Sequence, residues 1–394
     1  MRFCRTDRRR SNQLASEILQ VNQRCQGSDY PLSPPSGHCR HHQHELHVTK
    51  PLRTFVESPV LCNGEAGRSY SGVKAVLSSA KQAFRATAKF VAFSALGNGP
   101  WLRKRLQSVG RSRANIILNL HRVAEDDGSD YRPLDPGLFD DLLSFVKREF
   151  AVLTISELGE RARKPKLVLS FDDGYRDFAT NAALILKKHG LKANQNVIPK
   201  CVENGLPPLN VLAQDFVGKA PRELVDRLEV KGFSSPRDSG FGQRLSHFLK
   251  FRPQAEQDAI ADELLPQMFA WEEFEPTPMM NLEEVRSVGD HELGAHSYAH
   301  SSMQFETDAY LDDDVRRCGD FFEQKLSRPM TIYAFPNGSC REGQAERVLS
   351  HGVDHVLLVG ERFDKGGAIH NRFTFDGRSP SEVRFKAVGG LAPL

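Results

Sequence analysis

The chain has 394 residues, enough for one large domain or two of ordinary size, and 39% of its residues are hydrophobic. Its net charge of +3 hides a division, because residues 1–113 hold 19 Lys and Arg against 6 Asp and Glu, whereas the remainder holds 34 against 44. No apolar run is long enough to span a membrane, and the seven cysteines are scattered without a Cys-x-x-Cys pair, which argues against a disulfide framework or a zinc ribbon. Residues 11–25 are polar where a signal peptide would be apolar, so we expect a cytoplasmic protein.

The first 113 residues are predicted to lie apart from the main domain. Residues 1–71 form a basic leader without hydrophobic periodicity, and we expect this N-terminal extension to be disordered. Residues 72–113 form a basic, amphipathic helical segment, in which aromatic and aliphatic residues recur among Lys and Arg between 72 and 106. Such a segment either lies on an anionic membrane surface, as in a peripheral protein, or packs as an ordinary helix on the domain.

Residues 114–394 are predicted to form one domain of alternating strands and helices. Short apolar runs predict strands at 115–120, 152–154, 167–169, 193–198, just before Gly294, at 330–335 and at 353–359, the last as the final central strand. This alternation indicates an α/β fold, a parallel sheet with helices outside it that is either open or closed into a barrel. Residues 214–271 carry helical patterns and predict a helical insertion, which either caps the site or enlarges the core.

Two adjacent aspartates follow the strand predicted at 167–169. Asp172 and Asp173 stand in the sequence Ser-Phe-Asp-Asp-Gly-Tyr at residues 170–175. Parallel α/β proteins bind ligands at the carboxyl ends of their strands. Adjacent carboxylates repel each other, so a bound cation or a shared catalytic task would explain the pair. A solvated turn that caps the next helix is the alternative.

Two histidines, His296 and His300, follow a later predicted strand of the same sheet. On a helical turn, imidazoles four residues apart point the same way, which is a common way to bind a metal. With one carboxylate they make a two-His, one-carboxylate site that suits zinc or another divalent transition metal. Two exposed histidines fit the spacing equally well, but the position at a strand end favours the metal site.

Three motifs in this order carry a family resemblance. Ser-Phe-Asp-Asp-Gly-Tyr at 170–175, His-Ser-x-x-His at 296–300 and Phe-Pro-Asn-Gly at 335–338 resemble the polysaccharide deacetylase family with the NodB homology domain, carbohydrate esterase family 4. The resemblance covers about residues 114–380 and none of the leader. It implies a distorted (β/α) barrel of the NodB type that removes N-acetyl or O-acetyl groups from a carbohydrate.

The resemblance also implies roles for the matched residues. Asp172 corresponds to the catalytic base, and the metal ligands correspond to Asp173, His296 and His300. The metal implied is Zn²⁺, with Co²⁺, Ni²⁺ or Mn²⁺ as alternatives. Such a metal activates water, whose proton the base accepts, and a backbone N–H holds the oxyanion. In the family that N–H comes from the loop matched here by Pro336 and Asn337, most plausibly at Asn337.

The chain departs from the family pattern at two places near the base. The commonest third motif has an Arg where this chain has Ala334, and Arg372 is our candidate for orienting Asp172 instead. The strand after the first motif usually carries aromatic residues where this chain has Gln195 and Asn196.

The general acid and the site lining are also assigned by the resemblance. No clear Leu-x-His motif supplies the acid, so we take His370 as the candidate and His355 as the reserve. His121 matches a strand-end His of one subgroup and is expected to line the site, as is Tyr175 of the first motif.

We therefore expect a metal-dependent hydrolase that releases acetyl groups, N-acetyl in the first instance, from a sugar or glycan precursor. The alternative is a catalytically degenerate member that binds a saccharide or a glycan-assembly partner, which the missing Arg and the unassigned acid motivate. A nucleic-acid binder is not expected, because the basic leader lacks interleaved aromatic residues and any known module.

Overall fold

A computed structural model describes residues 92–394 of the chain. The predictions for the leader 1–71, and for residues 72–91 of the amphipathic segment, lie outside the described residues. The strands are β1 (Ile116–Leu120), β2 (Ala151–Leu153), β3 (Lys166–Phe171), β4 (Asn194–Val197), β5 (Glu292–Ala295), β6 (Ile332–Ala334), β7 (His355–Val359) and β8 (Ile369–Thr374). The helices are α1 (Gly99–Ser112), α2 (Pro136–Glu149), α3 (Ala183–His189), α4 (Pro199–Asn204), α5 (Leu209–Lys219), α6 (Arg222–Arg227), α7 (Phe241–Lys250), α8 (Gln254–Phe269), α9 (Leu282–Ser287), α10 (Asp308–Leu326), α11 (Gln344–Ser350) and α12 (Pro380–Ala387).

Seven of these strands close into a barrel. Neighbours follow the order β1-β8-β7-β6-β5-β4-β3, and β3 pairs back with β1. Every strand pairing is parallel, so the carboxyl ends of the seven strands meet at one end of the barrel. β2 extends the sheet beside the first half of β3, and β4 takes the same edge of β3 at its end. The predicted distorted (β/α) barrel is confirmed.

Side chains alternate along each strand between the barrel interior and the surrounding helices. In β1, Leu118 joins the large core that includes Phe139 and Leu142 of α2, whereas Ile117 joins a smaller cluster inside the barrel. This inner cluster also contains Val168 of β3. The hydrophobic effect therefore packs the strands from both faces, which is typical of parallel sheets.

The prediction that residues 353–359 form the last central strand is wrong. β8 follows β7, pairs with it over four residues, and also pairs with β1, so it closes the barrel. The sequence signal was weak because β8 carries the polar residues His370 and Arg372, both of which are buried. A strand that places polar side chains inside a barrel shows no apolar run.

Helix starts follow the local chemistry of the sequence. α9 begins with a capping box, in which Asn281 accepts a hydrogen bond from the Glu284 N–H and Glu284 accepts one from the Asn281 N–H. These reciprocal bonds satisfy two N–H groups that would otherwise lack a partner at the helix start. In α2, Asp135 caps the first turn and Pro136 supplies its preset φ angle.

The helical insertion has its own apolar core and contacts the carboxyl end of the barrel. Its helices α5 to α8 run from Leu209 to Phe269, so it begins five residues before the predicted 214–271. Asp215 anchors it to the loop after β1 by accepting a hydrogen bond from Ser129, and it also accepts two from Thr277. Since strand ends carry the ligand sites of such barrels, the insertion borders the expected site.

α1 packs on the barrel domain. Its Trp101 ring lies 5.4 Å from the Phe385 ring of α12, and Arg105 donates hydrogen bonds to the carbonyls of Val388, Gly389 and Ala392. The domain thus includes α1, which lies before the predicted boundary at 114. Among residues 92–394, no helix combines the length and the apolarity that a membrane span requires.

Candidate active site

A sharp turn at the end of β3 separates the two adjacent aspartates. Asp173 has φ 74° and Gly174 has φ 85°, so two successive residues take the left-handed conformation. This conformation is strained for Asp173, and such strain is concentrated at functional sites. Both carboxylates are 2% exposed, yet they contact different partners. The turn therefore gives the two neighbouring acids separate environments.

The two histidines lie on a loop and not on the helical turn we expected. After β5, Ser297 and His300 both have positive φ angles, 60° and 64°, which an α-helix does not allow. Ser297 donates a hydrogen bond to Asp314 of α10 and accepts one from the Ser301 N–H, which holds the loop closed. The loop still brings the His296 and His300 rings to 5.1 Å between centroids.

Asp173, His296 and His300 form a cluster that suits a divalent metal. Their potential ligand atoms all lie within 4.8 Å of one another. Asp173 Oδ1 lies 3.4 Å from His296 Nε2 and 3.5 Å from His300 Nε2. It is buried without a hydrogen-bond partner among the described residues, which is costly unless a cation contacts it. One carboxylate and two imidazoles are a common ligand set for zinc and related metals.

The hydrogen bond of His296 and the burial of His300 both favour metal binding. His296 Nδ1 lies 2.9 Å from the Ala334 carbonyl of β6, so a proton on Nδ1 leaves the Nε2 lone pair directed at Asp173. Burial lowers the pKa of His300 to about 4, against the opposing charge of Asp173. A neutral imidazole can donate its lone pair to a metal, whereas an imidazolium cannot.

Asp172 is held in the barrel interior by a two-pronged ion pair with Arg372. Arg372 Nη1 and Nη2 lie 2.7 and 2.8 Å from the two carboxylate oxygens, and Arg372 itself has no exposed surface. Burial alone would raise the pKa of Asp172, but the charge and the hydrogen bonds of Arg372 outweigh it and hold this pKa well below its usual value. Asp172 is therefore a carboxylate at neutral pH.

Asn196 is a further site residue, to which the sequence motifs assign no role. Its amide donates hydrogen bonds to Asp172 Oδ1 at 2.8 Å and to Asn194 at 2.9 Å. Gly294 of the adjacent β5 makes room, since a Cβ there would lie 2.3 Å from the Asn196 oxygen. The polar residue at 196, noted as a departure from the family pattern, thus contributes to fixing Asp172.

His121, Tyr131 and Tyr175 form a group of neighbouring rings. The Tyr131 ring is 6.0 Å from both the His121 and the Tyr175 rings. Burial lowers the pKa of His121, while the charges of Asp173 and Asp172 oppose this. Burial and the Asp173 charge both raise the pKa of Tyr175. The charge of Asp173 thus acts on both His121 and Tyr175.

The loop of Pro336 and Asn337 follows β6 and faces the histidine loop. Asn337 has φ 56°, and its side-chain amide donates a hydrogen bond to Ser302, two residues beyond His300. The carbonyl of Ala334, at the end of β6, accepts a hydrogen bond from His296, so the loop that follows lies beside the cluster. The structure places both predicted loop residues at the site.

His370 does not lie with the other predicted residues. Its Nδ1 lies 3.2 Å from Asp364, and its Nε2 lies 3.1 Å from His355 Nδ1. Both ring nitrogens of His370 therefore have partners outside the site. Neither contacts Asp172, Asp173 or the pair of His296 and His300. We withdraw the assignment of His370 as general acid, and that of His355 as its reserve.

A known protein family matches part of this chain. The family model for polysaccharide deacetylase matches residues 266–356, which contain His296, His300 and Asn337. This match confirms the resemblance of the chain to the polysaccharide deacetylase family. No curated protein gives a match.

Several solved structures are similar to this chain. The Streptococcus pyogenes deacetylase PplD in complex with acetate has 16% sequence identity and a TM-score of 0.45, over 68% of this chain and 96% of that one. IcaB from Ammonifex degensii has 14% identity and a TM-score of 0.46, over 70% and 97%. A de-N-acetylase from Aggregatibacter actinomycetemcomitans has 14% identity and a TM-score of 0.43, over 66% and 95%.

Replacing Arg372 by Met should destabilise the fold most at neutral pH. In the wild type the pKa of Asp172 is below its unfolded value of about 3.9, so the pair stabilises the fold above that pH. Without Arg372, burial raises this pKa, and a buried carboxylate loses its partner. We expect a loss of about 3–5 kcal/mol at pH 7 that shrinks toward pH 5 as the carboxyl group protonates.

Urea unfolding between pH 5 and pH 8 measures this effect. The control is the double variant Arg372→Met with Asp172→Asn, which carries no buried charge at either position. Its stability should exceed that of the single variant at pH 7 and should change less with pH. An equal loss at every pH in the single variant would show that Arg372 acts by packing and not by its charge.

Proposed function

We propose that this chain is a metal-dependent hydrolase that removes N-acetyl groups from a carbohydrate. The observation that carries the proposal is that a candidate metal site and an ionised carboxylate lie together at the carboxyl ends of the strands. Asp173 Oδ1, buried without a hydrogen-bond partner, lies between His296 and His300, and the ionised Asp172 lies beside them against Arg372. A metal site next to a buried, ionised carboxylate is the arrangement that metal-assisted hydrolysis requires.

The metal ligands in this proposal are Asp173, His296 and His300, and zinc suits this donor set, with Co²⁺, Ni²⁺ or Mn²⁺ as alternatives. A divalent ion held there would polarise the acetyl carbonyl and lower the pKa of the attacking water. His296 would bind through the lone pair on its Nε2 atom, since its Nδ1 contacts the Ala334 carbonyl.

Asp172 is the base in this proposal. Arg372 and Asn196 hold its carboxylate in one orientation and keep it ionised, so it can accept the proton of the attacking water. The N–H of Asn337, on the loop after β6, is the proposed donor to the oxyanion that forms on the acetyl group. In this proposal Arg372 of β8 orients the base, in place of the arginine that the family motif has at the position of Ala334.

Two features had favoured a catalytically degenerate family member, namely the missing arginine and the unassigned general acid, and this proposal assigns a residue to each role. Arg372 occupies the place of the missing arginine in function, because it contacts both oxygens of Asp172. His121 offers an ionisable group at the site where His370 does not. Asp172 is also close to the Asp173–His296–His300 cluster, since its Oδ2 lies 3.7 Å from His296 Nε2.

Replacing Asp172 by Asn should abolish turnover while metal binding persists. Asp172 is not among the proposed ligands, and Asn preserves its size while removing the basic oxygen. We expect acetate release from N-acetylglucosamine oligomers to fall by about 10²–10⁴-fold, the usual contribution of a general base. Acetate is measured enzymatically, and bound metal is measured on the same samples. Asp173→Ala is the contrasting variant, which should lose the metal and the activity together, whereas undiminished turnover in Asp172→Asn would remove this mechanism.

His121 is the proposed proton donor to the leaving amine. Its lowered pKa makes the imidazolium a strong acid once it forms, and the site charges that act on it include both aspartates. His121→Gln should lower kcat by about 10²-fold or more with the metal retained. The matched variant His355→Gln changes a histidine that lies away from the cluster, and it should alter kcat far less. If His355→Gln had the larger effect with the metal in place, the proton donor would have to be sought around β7 and β8.

A further inference from the structure

An exposed aromatic surface lies next to the candidate active site. Phe251 follows α7 of the insertion, and Phe305 belongs to the short turn after the histidine loop. Their side chains are 37% and 38% exposed, and their rings lie 6.0 Å apart in an edge-to-face arrangement. They are the only aromatic residues among the exposed large hydrophobic residues of the described range 92–394. The His247 ring lies 4.3 Å from Phe251 and extends this surface.

Hydrogen bonds through Ser302 connect this surface to the site. Ser302, two residues after His300, donates to the Lys250 carbonyl at 2.5 Å, and Asn337 donates to the same serine at 3.1 Å. The end of α7 is therefore one hydroxyl group away from the proposed oxyanion loop. Gln254, at the start of α8, accepts a hydrogen bond from Ser301. The insertion thus supplies one wall beside the metal cluster.

Lys250 places a cation on that wall. Among residues 92–394 its ammonium group has no carboxylate within salt-bridge distance and donates no hydrogen bond. Its Nζ lies 5.7 Å from the centre of the Phe251 ring. Burial lowers its pKa, and the one charge that opposes this is Asp173. The Lys250 charge in turn acts on His300. The Lys250 side chain therefore lies beside Phe251, and its backbone carbonyl is bonded to the loop after His300.

The charges of the site leave this cation without a counterion during function. Asp172 is already paired with Arg372, and a divalent ion bound to Asp173 would take up the one carboxylate whose charge acts on Lys250. A partly buried cation is stabilised by an opposite charge nearby. An anionic group on the substrate would supply that charge, and the faces of Phe251 and Phe305 would supply apolar contact for a sugar ring.

We propose that Lys250, Phe251 and Phe305 form a substrate subsite that binds an acidic sugar unit next to the acetylated one. This inference rests on the proposed deacetylase function and names its substrate class, an N-acetylated glycan that carries a carboxylate or a phosphate. The acidic group binds at Lys250, and the adjacent ring lies on the aromatic pair. The carboxylate of a uronic acid unit and the phosphate of a sugar phosphate share the chemistry that this cation recognises.

Calorimetric binding to the full chain loaded with Zn²⁺ tests the subsite without relying on turnover. Three probes separate the sources of charge: a neutral N-acetylglucosamine tetramer, a tetrasaccharide alternating N-acetylglucosamine with glucuronate, and N-acetylglucosamine 1-phosphate. We expect at least one acidic probe to bind roughly 10- to 100-fold more tightly than the neutral tetramer, the range of one charged hydrogen bond. This preference should weaken with added salt.

Variants locate the effect. Lys250→Gln should remove the preference for acidic probes and leave binding of the neutral tetramer within about twofold, while Phe251→Ala should weaken both. Lys231→Gln is the matched control, because Lys231 is an exposed lysine of the same insertion that pairs with Glu263. It should bind all three probes as the wild type does.

The outcomes separate this inference from the proposed function. Equal affinity of the wild type for neutral and acidic probes would overturn the subsite, as would an unchanged preference in Lys250→Gln. An equal loss of acetate release from neutral and acidic substrates in Lys250→Gln would also overturn it, because Lys250 would then serve the chemistry. A preference that disappears in Lys250→Gln, with no acetate released from any substrate, would support the subsite and contradict the deacetylase.

Discussion

The buried ion pair between Asp172 and Arg372 is the interaction on which the rest of the site depends. It joins the end of β3 to β8 across the interior of the barrel, with β1 lying between the two strands. Neither charge can be buried alone without a large cost, so each requires the other. The pair fixes the orientation of one carboxylate and keeps it ionised. Once Asp172 is committed in this way, the left-handed turn directs Asp173 to a different set of partners.

Two neighbouring acids thus take different tasks through backbone geometry. Asp172 accepts hydrogen bonds from Arg372 and Asn196, whereas Asp173 contacts His296 and His300 without accepting a hydrogen bond at Oδ1. A carboxylate saturated with donors is a poor metal ligand, and one without donors is a good one. The insertion adds to this arrangement by closing one side of the strand ends, since α7 and the loop after His300 are hydrogen-bonded through Ser302.

The sequence predicted the parts of the site that lie in short, local motifs. Both aspartates follow an apolar strand, and the parallel α/β sheet follows from the alternation of strands and helices, so periodicity and turn chemistry sufficed for these. Closure of the sheet into a barrel was implied only by the family resemblance. Prediction failed where the contact is distant along the chain or where a strand faces a polar interior. β8 has no apolar run, Asn196 acts only through its neighbour Asp172, and the histidine loop uses positive φ angles that spacing does not reveal. His370 shares β8 with Arg372, yet only the three-dimensional register separates their partners.

The metal content of the purified full chain tests the central claim most directly. The chain is saturated with Zn²⁺, freed of excess metal and analysed by atomic emission, with His300→Ala beside it and circular dichroism to establish that both are folded. The account predicts about one divalent ion per wild-type chain, as three protein ligands with an open position require, and none retained by His300→Ala. A folded wild-type chain that retains no metal, or a variant that retains as much as the wild type, would contradict it.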